Sequence, residues 1–156
     1  MVISPLLYSI LGIGISLIFK DLKQFRKEIL SFLIEISSVL LITFILGKIF
    51  TLPTSNEIAK SVIADRLDYF FVALASGIAS TFSLFGPNKQ KRLVGVAIAV
   101  ALIPPIVLLG ISISEGDSIV LRQSLETVST NILGIILGSS ITVGILRVFG
   151  KGQVKH

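Results

Sequence analysis

Residues 93–113, LVGVAIAVALIPPIVLLGISI, run for twenty-one positions without a charged side chain, and two adjacent prolines, Pro104 and Pro105, stand near the middle. A helix of that length rises about 30 Å, the thickness of a bilayer hydrocarbon core. Each proline lacks a backbone donor and crowds the preceding turn, so the carbonyls of Val100 and Ala101 lose their intrahelical partners. Within hydrocarbon such carbonyls must be met by protein, water or a bound solute. The pattern predicts an all-α polytopic membrane protein whose fourth span is broken at Pro104-Pro105.

The rest of the chain agrees with a membrane class. Of 156 residues 53% are hydrophobic and only 15% are charged, against about a quarter charged in soluble domains. One membrane domain over residues 1–156 is expected. The formal net charge of +5 resides in short loops between apolar runs, which suits lipid headgroups as partners and lacks the continuous basic stripe of a nucleic-acid surface. No cysteine is present, which excludes disulfides and thiolate chemistry. The single histidine, His156, is the last residue and reads as part of a tail. The first apolar run, Val2 to Phe19, has no basic flank before it and no small-x-small cleavage site, so it reads as a retained span.

Apolar windows predict spans at 2–19, 29–50, 68–86, 93–113 and 124–148. Between the second and third, TLPTSNEIAKSVIADRL from Thr51 to Leu67 is too polar to cross, and its apolar spacing suits an interfacial helix. Ten of the 14 basic residues fall on one side, in the 20–28 loop, the 87–92 turn and the tail; Lys48, Lys60, Arg66 and Arg122 fall on the other. The positive-inside rule then predicts an outer N-terminus and a cytoplasmic C-terminus in a plasma or inner membrane.

Shifting the chain by the separation of Glu35 from Glu126 also superimposes Ser38 on Ser129 and Leu46-Gly47 on Leu137-Gly138. The second and fifth spans run in opposite directions, so such copies would form an inverted repeat of the kind found in secondary transporters. The alternative is chance similarity among apolar segments of low diversity. The runs ISPLLYSILGIGIS and IPPIVLLGISIS resemble each other at a different shift.

Glu35 is placed about 10 Å into the second span, counting the helical rise from Glu28, where a carboxylate is either a proton or cation site or the partner of a basic side chain. Ser76, Gly77 and Ser80 form a polar, small face on the third span, read either as close helix packing or as the lining of a passage. Asn131 on the fifth span requires a partner inside the bundle. With Val100, Ala101, Pro104 and Pro105 these are the candidate pathway residues. The alternation of small and large side chains from Val94 to Ala101 fits a buried helix or an extended stretch lining the break. Phosphate loops, catalytic triads and metal-ligand spacings are absent from the sequence, so no enzyme, metal or cofactor is expected.

The segment FFVALASGIASTFSLFGPNKQKRLVGVAIAVALIPPIVLLGI, Phe70 to Ile111, resembles the hallmark of an uncharacterised hydrophobic membrane family, domain of unknown function 389. The opening MVISPLLYSILGIGISL and the KDLKQFRK loop after it are similar to that family's early span. Family members often carry a cytoplasmic domain and further membrane sequence upstream of the ISPL segment, and this chain starts at that segment, as a minimal or shortened member would. The resemblance implies a membrane fold and names no substrate. From the residues themselves, the expected function is a small-solute or ion transporter or channel, and the alternative is a structural or regulatory membrane subunit. Self-association into a homo-oligomer is expected because five short spans offer little interior for polar groups.

Overall fold

The computed structural model describes residues 5–50, 66–85 and 91–149, and the described residues are helical and contain no strand. Five helices follow one another: α1 (Pro5–Phe19), α2 (Leu22–Phe50), α3 (Arg66–Phe85), α4 (Lys91–Glu115) and α5 (Ser118–Phe149). Among the described residues three helical segments, Leu22–Phe50, Leu67–Leu84 and Ser118–Val148, are long and apolar enough to cross a membrane. The expected interfacial helix between the second and third spans, and the tail with His156, lie outside the described residues.

Apolar side chains turn both inward and outward, as lipid demands. On α5, Leu125, Leu133, Leu137, Ile141 and Ile145 are exposed, while Val128, Asn131, Ile135, Ser139 and Thr142 on the opposite side are buried. The inner face is therefore the more polar one, the reverse of a soluble helix.

The fourth helix departs from expectation. Pro104 and Pro105 lie inside one continuous helix from Lys91 to Glu115 and do not break it. Leu102, Pro105 and Ile106 are buried, and their packing carries the helix past the missing donors, as neighbouring helices allow in membranes. The Val94–Ala101 stretch is likewise helical. The carbonyls of Val100 and Ala101 have no N–H to accept from four residues on, because those positions are Pro104 and Pro105.

Contacts at glycines give the relative directions of the helices. Gly14 of α1 meets Ser139 of α5, and farther along both helices Arg147 Nη1 donates to Ile18 O at 3.4 Å, so α1 and α5 run parallel. On α2 and α4, Thr43 meets Gly110 and Gly47 meets Ser114, again in parallel. Ser9 meets Glu35 while Gly12 meets Glu28, so α1 and α2 are antiparallel. Consecutive helices thus alternate. Helices α1, α2, α4 and α5 form a ring in that order, and α3 packs outside it along α5 and α4.

The ring is an inverted pair of hairpins, and the equivalence can be followed residue by residue. Asp21 N donates to Ser16 O at 3.2 Å and Asp117 N to Ser112 O at 3.1 Å; Phe25 N and Leu121 N return to Asp21 O and Asp117 O, each at 2.9 Å. Asp21 Oδ1 caps α2 by accepting from Lys23 N and Gln24 N, and Asp117 Oδ1 caps α5 by accepting from Ile119 N and Val120 N. The residue before each aspartate is left-handed, Lys20 at φ 56° and Gly116 at φ 77°. The shift is 96, the separation of Ser16 from Ser112.

At that shift the tertiary contacts also coincide. A methyl group added to Gly14 would lie 2.7 Å from Ser139 Oγ and 3.3 Å from Ile136 O; one added to Gly110 would strike Thr43 Oγ1 and lie 3.3 Å from Leu40 O. Gly14 corresponds to Gly110, Ser139 to Thr43 and Ile136 to Leu40. Buried Ile10 and Ile106 correspond, as do Leu6 and Leu102, and Phe32 and Val128. The inverted repeat therefore exists in the fold, but in another register than the sequence indicates. Glu35 is equivalent to Asn131 and not to Glu126, which lies on the flank of α5 and pairs with Arg122 at 3.1 Å.

Candidate polar layer at mid-depth

Glu35 stands closer to the middle of its helix than expected, because α2 begins at Leu22; at the helical rise it lies about 20 Å from that end. Ser9 Oγ, on a buried serine of α1, donates to Glu35 Oε1 at 3.1 Å. Glu35 Oε2 is buried and has no hydrogen-bond partner among the described residues. Glu28, two turns nearer the hairpin, lies over Gly12, whose absent side chain makes room for it: a methyl there would be 2.7 Å from the Glu28 carboxyl carbon. The α1–α2 seam thus carries two carboxylates on one face of α2.

On the other hairpin, Pro105 and Asn131 occupy the positions equivalent to Ser9 and Glu35. Both are fully buried. The exchange is chemically complementary. In the first hairpin a hydroxyl donates to a carboxylate, whereas in the second a proline without a backbone donor stands at the serine's position and a carboxamide, itself a donor, at the carboxylate's.

The other predicted site residues fall on a different seam. Ser76, Gly77 and Ser80 lie on α3, and Gly77 seats the backbone of Ile135 of α5. Ala73 and Gly77 cross Gly134 and Gly138, an arrangement in which small residues let two backbones approach; a methyl on Gly134 would lie 3.0 Å from both Ala73 Cβ and Phe70 O. Ser80 Oγ donates to Ser76 O, and Thr81 Oγ1 to Gly77 O at 2.9 Å. These hydroxyls are satisfied by their own helix. Of the predicted set, the structure sets Glu35, Pro105 and Asn131 into one equivalent arrangement, keeps Pro104 half-buried beside it, and gives Ser76, Gly77 and Ser80 to α3–α5 packing.

Ser9, Gly14, Thr43, Gly110 and Ser139 were not anticipated as site residues. A signal existed: Gly14-Ile15-Ser16 and Gly110-Ile111-Ser112 are identical triplets, each followed at the same distance by Asp21 or Asp117. Two shallow surface grooves, one on the outer side of α2 about Ser37 and Ser38 and one at the start of α5 about Arg122, include none of the predicted site residues. No metal-binding group of acidic, histidine or cysteine side chains occurs among the described residues.

An uncharacterised protein of Methanocaldococcus jannaschii, MJ0678, is 27% identical over 160 residues, covering 99% of this chain and 50% of its own length. The chain thus spans about half the length of that relative. No solved structure matches. The family described as Domain of unknown function (DUF389) matches residues 1–137, and the chain belongs to that family.

Proposed function

We propose that this chain is a non-enzymatic membrane transport module that passes a small ion, with Glu35 as its binding group and Asn131 as the neutral counterpart on the second hairpin. The observation that carries the reading is a carboxylate near the midpoint of an apolar helix, held by Ser9 through one oxygen while the other is buried without a partner among the described residues. An ionisable group at that depth is costly and marks ion or proton pathways by default. Inverted hairpins with polar groups at mid-depth are the architecture on which secondary transporters are built. The same proposal takes the basic ends of the helices as cytoplasmic, with the N-terminus outside, and includes contact with anionic lipid and self-association.

The test is flux of protons, Na⁺ and K⁺ in proteoliposomes holding the purified chain. Glu35→Gln should remove at least nine-tenths of the flux while leaving the folded fraction unchanged. Equal flux in the variant would refute the assignment of Glu35.

A second reading, a structural or regulatory subunit that transports nothing, is favoured by one observation. Many hydroxyls among the described residues turn back onto carbonyls of their own helix, as in Thr43 to Val39, Ser112 to Leu109 and Thr142 to Gly138. Absence of flux for every ion tried, in a folded sample, supports that reading.

A further inference from the structure

Equivalent contacts in an inverted pair lie near opposite faces of the membrane. At the helical rise Gly14 precedes the Lys20 turn by about 9 Å, and Gly110 precedes the Gly116 turn by the same distance. The two turns stand at opposite ends of the bundle, because α1 and α4 run in opposite directions. Gly14 against Ser139 therefore closes α1 onto α5 near the end bearing Lys20, Lys23, Arg26 and Lys27, whereas Gly110 against Thr43 closes α4 onto α2 near the other end. Glu35 and Asn131 each lie about 20 Å from the start of their own helices, between the two contacts.

Both closures are built to part cheaply. Thr43 Oγ1 bonds only within its own helix, to Val39 O at 2.9 Å and Leu40 O at 3.1 Å, so separating it from Gly110 breaks none of these bonds. Ser139 Oγ has no hydrogen-bond partner among the described residues, and the neighbouring tie, Ser140 Oγ to Gly14 O, is long at 3.3 Å. The α1–α2 hairpin is itself held together by Ser9 on Glu35 and Glu28 over Gly12. It touches the second hairpin mainly through α2 on α4 and through α1 on α5, with a smaller contact of α1 on α4. A tilt of one hairpin against the other about mid-depth separates one of these contacts and presses the other.

Resting on the transport reading above, we propose that Gly14·Ser139 and Gly110·Thr43 are paired gates. Each opens the Glu35 layer to one membrane face only while the other is shut, and the structure, with both contacts closed, is the occluded state.

The chain lacks cysteine, so Ser139→Cys and Thr43→Cys, both near-isosteric, serve as probes of the two gates. In oriented vesicles a small impermeant thiol reagent should label the Ser139→Cys variant at least tenfold faster from the basic face than from the other, and the Thr43→Cys variant with the opposite preference. In the double variant Thr43→Cys/Ser139→Cys, prior modification of one thiol with a bulky maleimide should slow labelling of the other at least tenfold; this test leaves both glycines intact. Wedging a contact with Gly110→Ala should raise labelling at position 43 and lower it at position 139, and Gly14→Ala the reverse. Labelling of both positions from one face, protection of both from either face, or independent labelling in the double variant would each overturn the gates. Reciprocal labelling without any ion flux would leave the gates standing and refute transport; flux without reciprocity would do the opposite.

Discussion

Glu35 and Asn131 hold equivalent places in two hairpins and differ in what they can exchange with their surroundings. A carboxylate accepts from Ser9, and Ser9→Ala should cost about 1 kcal/mol, the scale of hydrogen bonds between membrane helices, read as a shift in unfolding by denaturing detergent. An unchanged midpoint would mean that the contact contributes nothing. Asn131 is fully buried on α5, which packs on α4, the helix whose Ala101 carbonyl has no N–H to accept from at Pro105. Asn131→Leu should therefore be less damaging when Pro105→Ala restores that donor, with a coupling on the order of 1 kcal/mol in a double-mutant cycle. Strict additivity would show that the carboxamide serves another group. Glu35 and Asn131 were legible in the sequence because polar groups inside apolar runs are conspicuous. Ser9 was not, because one serine in the first span is unremarkable until α2 is laid against it.

At the scale of the helix, the same turn is made twice with different chemistry at the left-handed position. Gly116 adopts φ 77° without a side-chain penalty, whereas Lys20 at φ 56° carries one. Lys20→Gly should stabilise the bundle by about 0.5–1 kcal/mol and Gly116→Lys should destabilise it by about 1–2 kcal/mol, both measured as unfolding midpoints. Opposite signs are required; equal signs would refute the turn equivalence. Each aspartate cap, Asp21 or Asp117, should cost about 1 kcal/mol on replacement by alanine. Five helices were legible from apolar windows, although α2 begins seven residues and α5 six residues ahead of the expected starts. The effect of the prolines was not, since a missing donor interrupts an isolated helix but not one clamped by buried Leu102, Pro105 and Ile106. The repeat was legible as a tendency and misread in register, because apolar residues match one another at many shifts and only the turns fix one.

For the whole molecule, a ring of four helices with α3 laid on one side explains why the small residues of α3 and α5 serve packing. Gly77→Leu should disrupt the fold of a single chain, because the added side chain meets the backbone of Ile135, at a cost above about 3 kcal/mol. A folded variant that merely lost self-association would contradict this. The burial of Asn131 is likewise met within one chain. The inverted pair predicts that the two hairpin turns face opposite sides of the membrane. The single variants Gln24→Cys and Ser118→Cys, both at exposed positions, labelled by an impermeant reagent in intact cells and again after permeabilisation, decide it. Ser118→Cys should react from outside and Gln24→Cys only after permeabilisation, whereas labelling of both from the same side would contradict the inverted pair of hairpins.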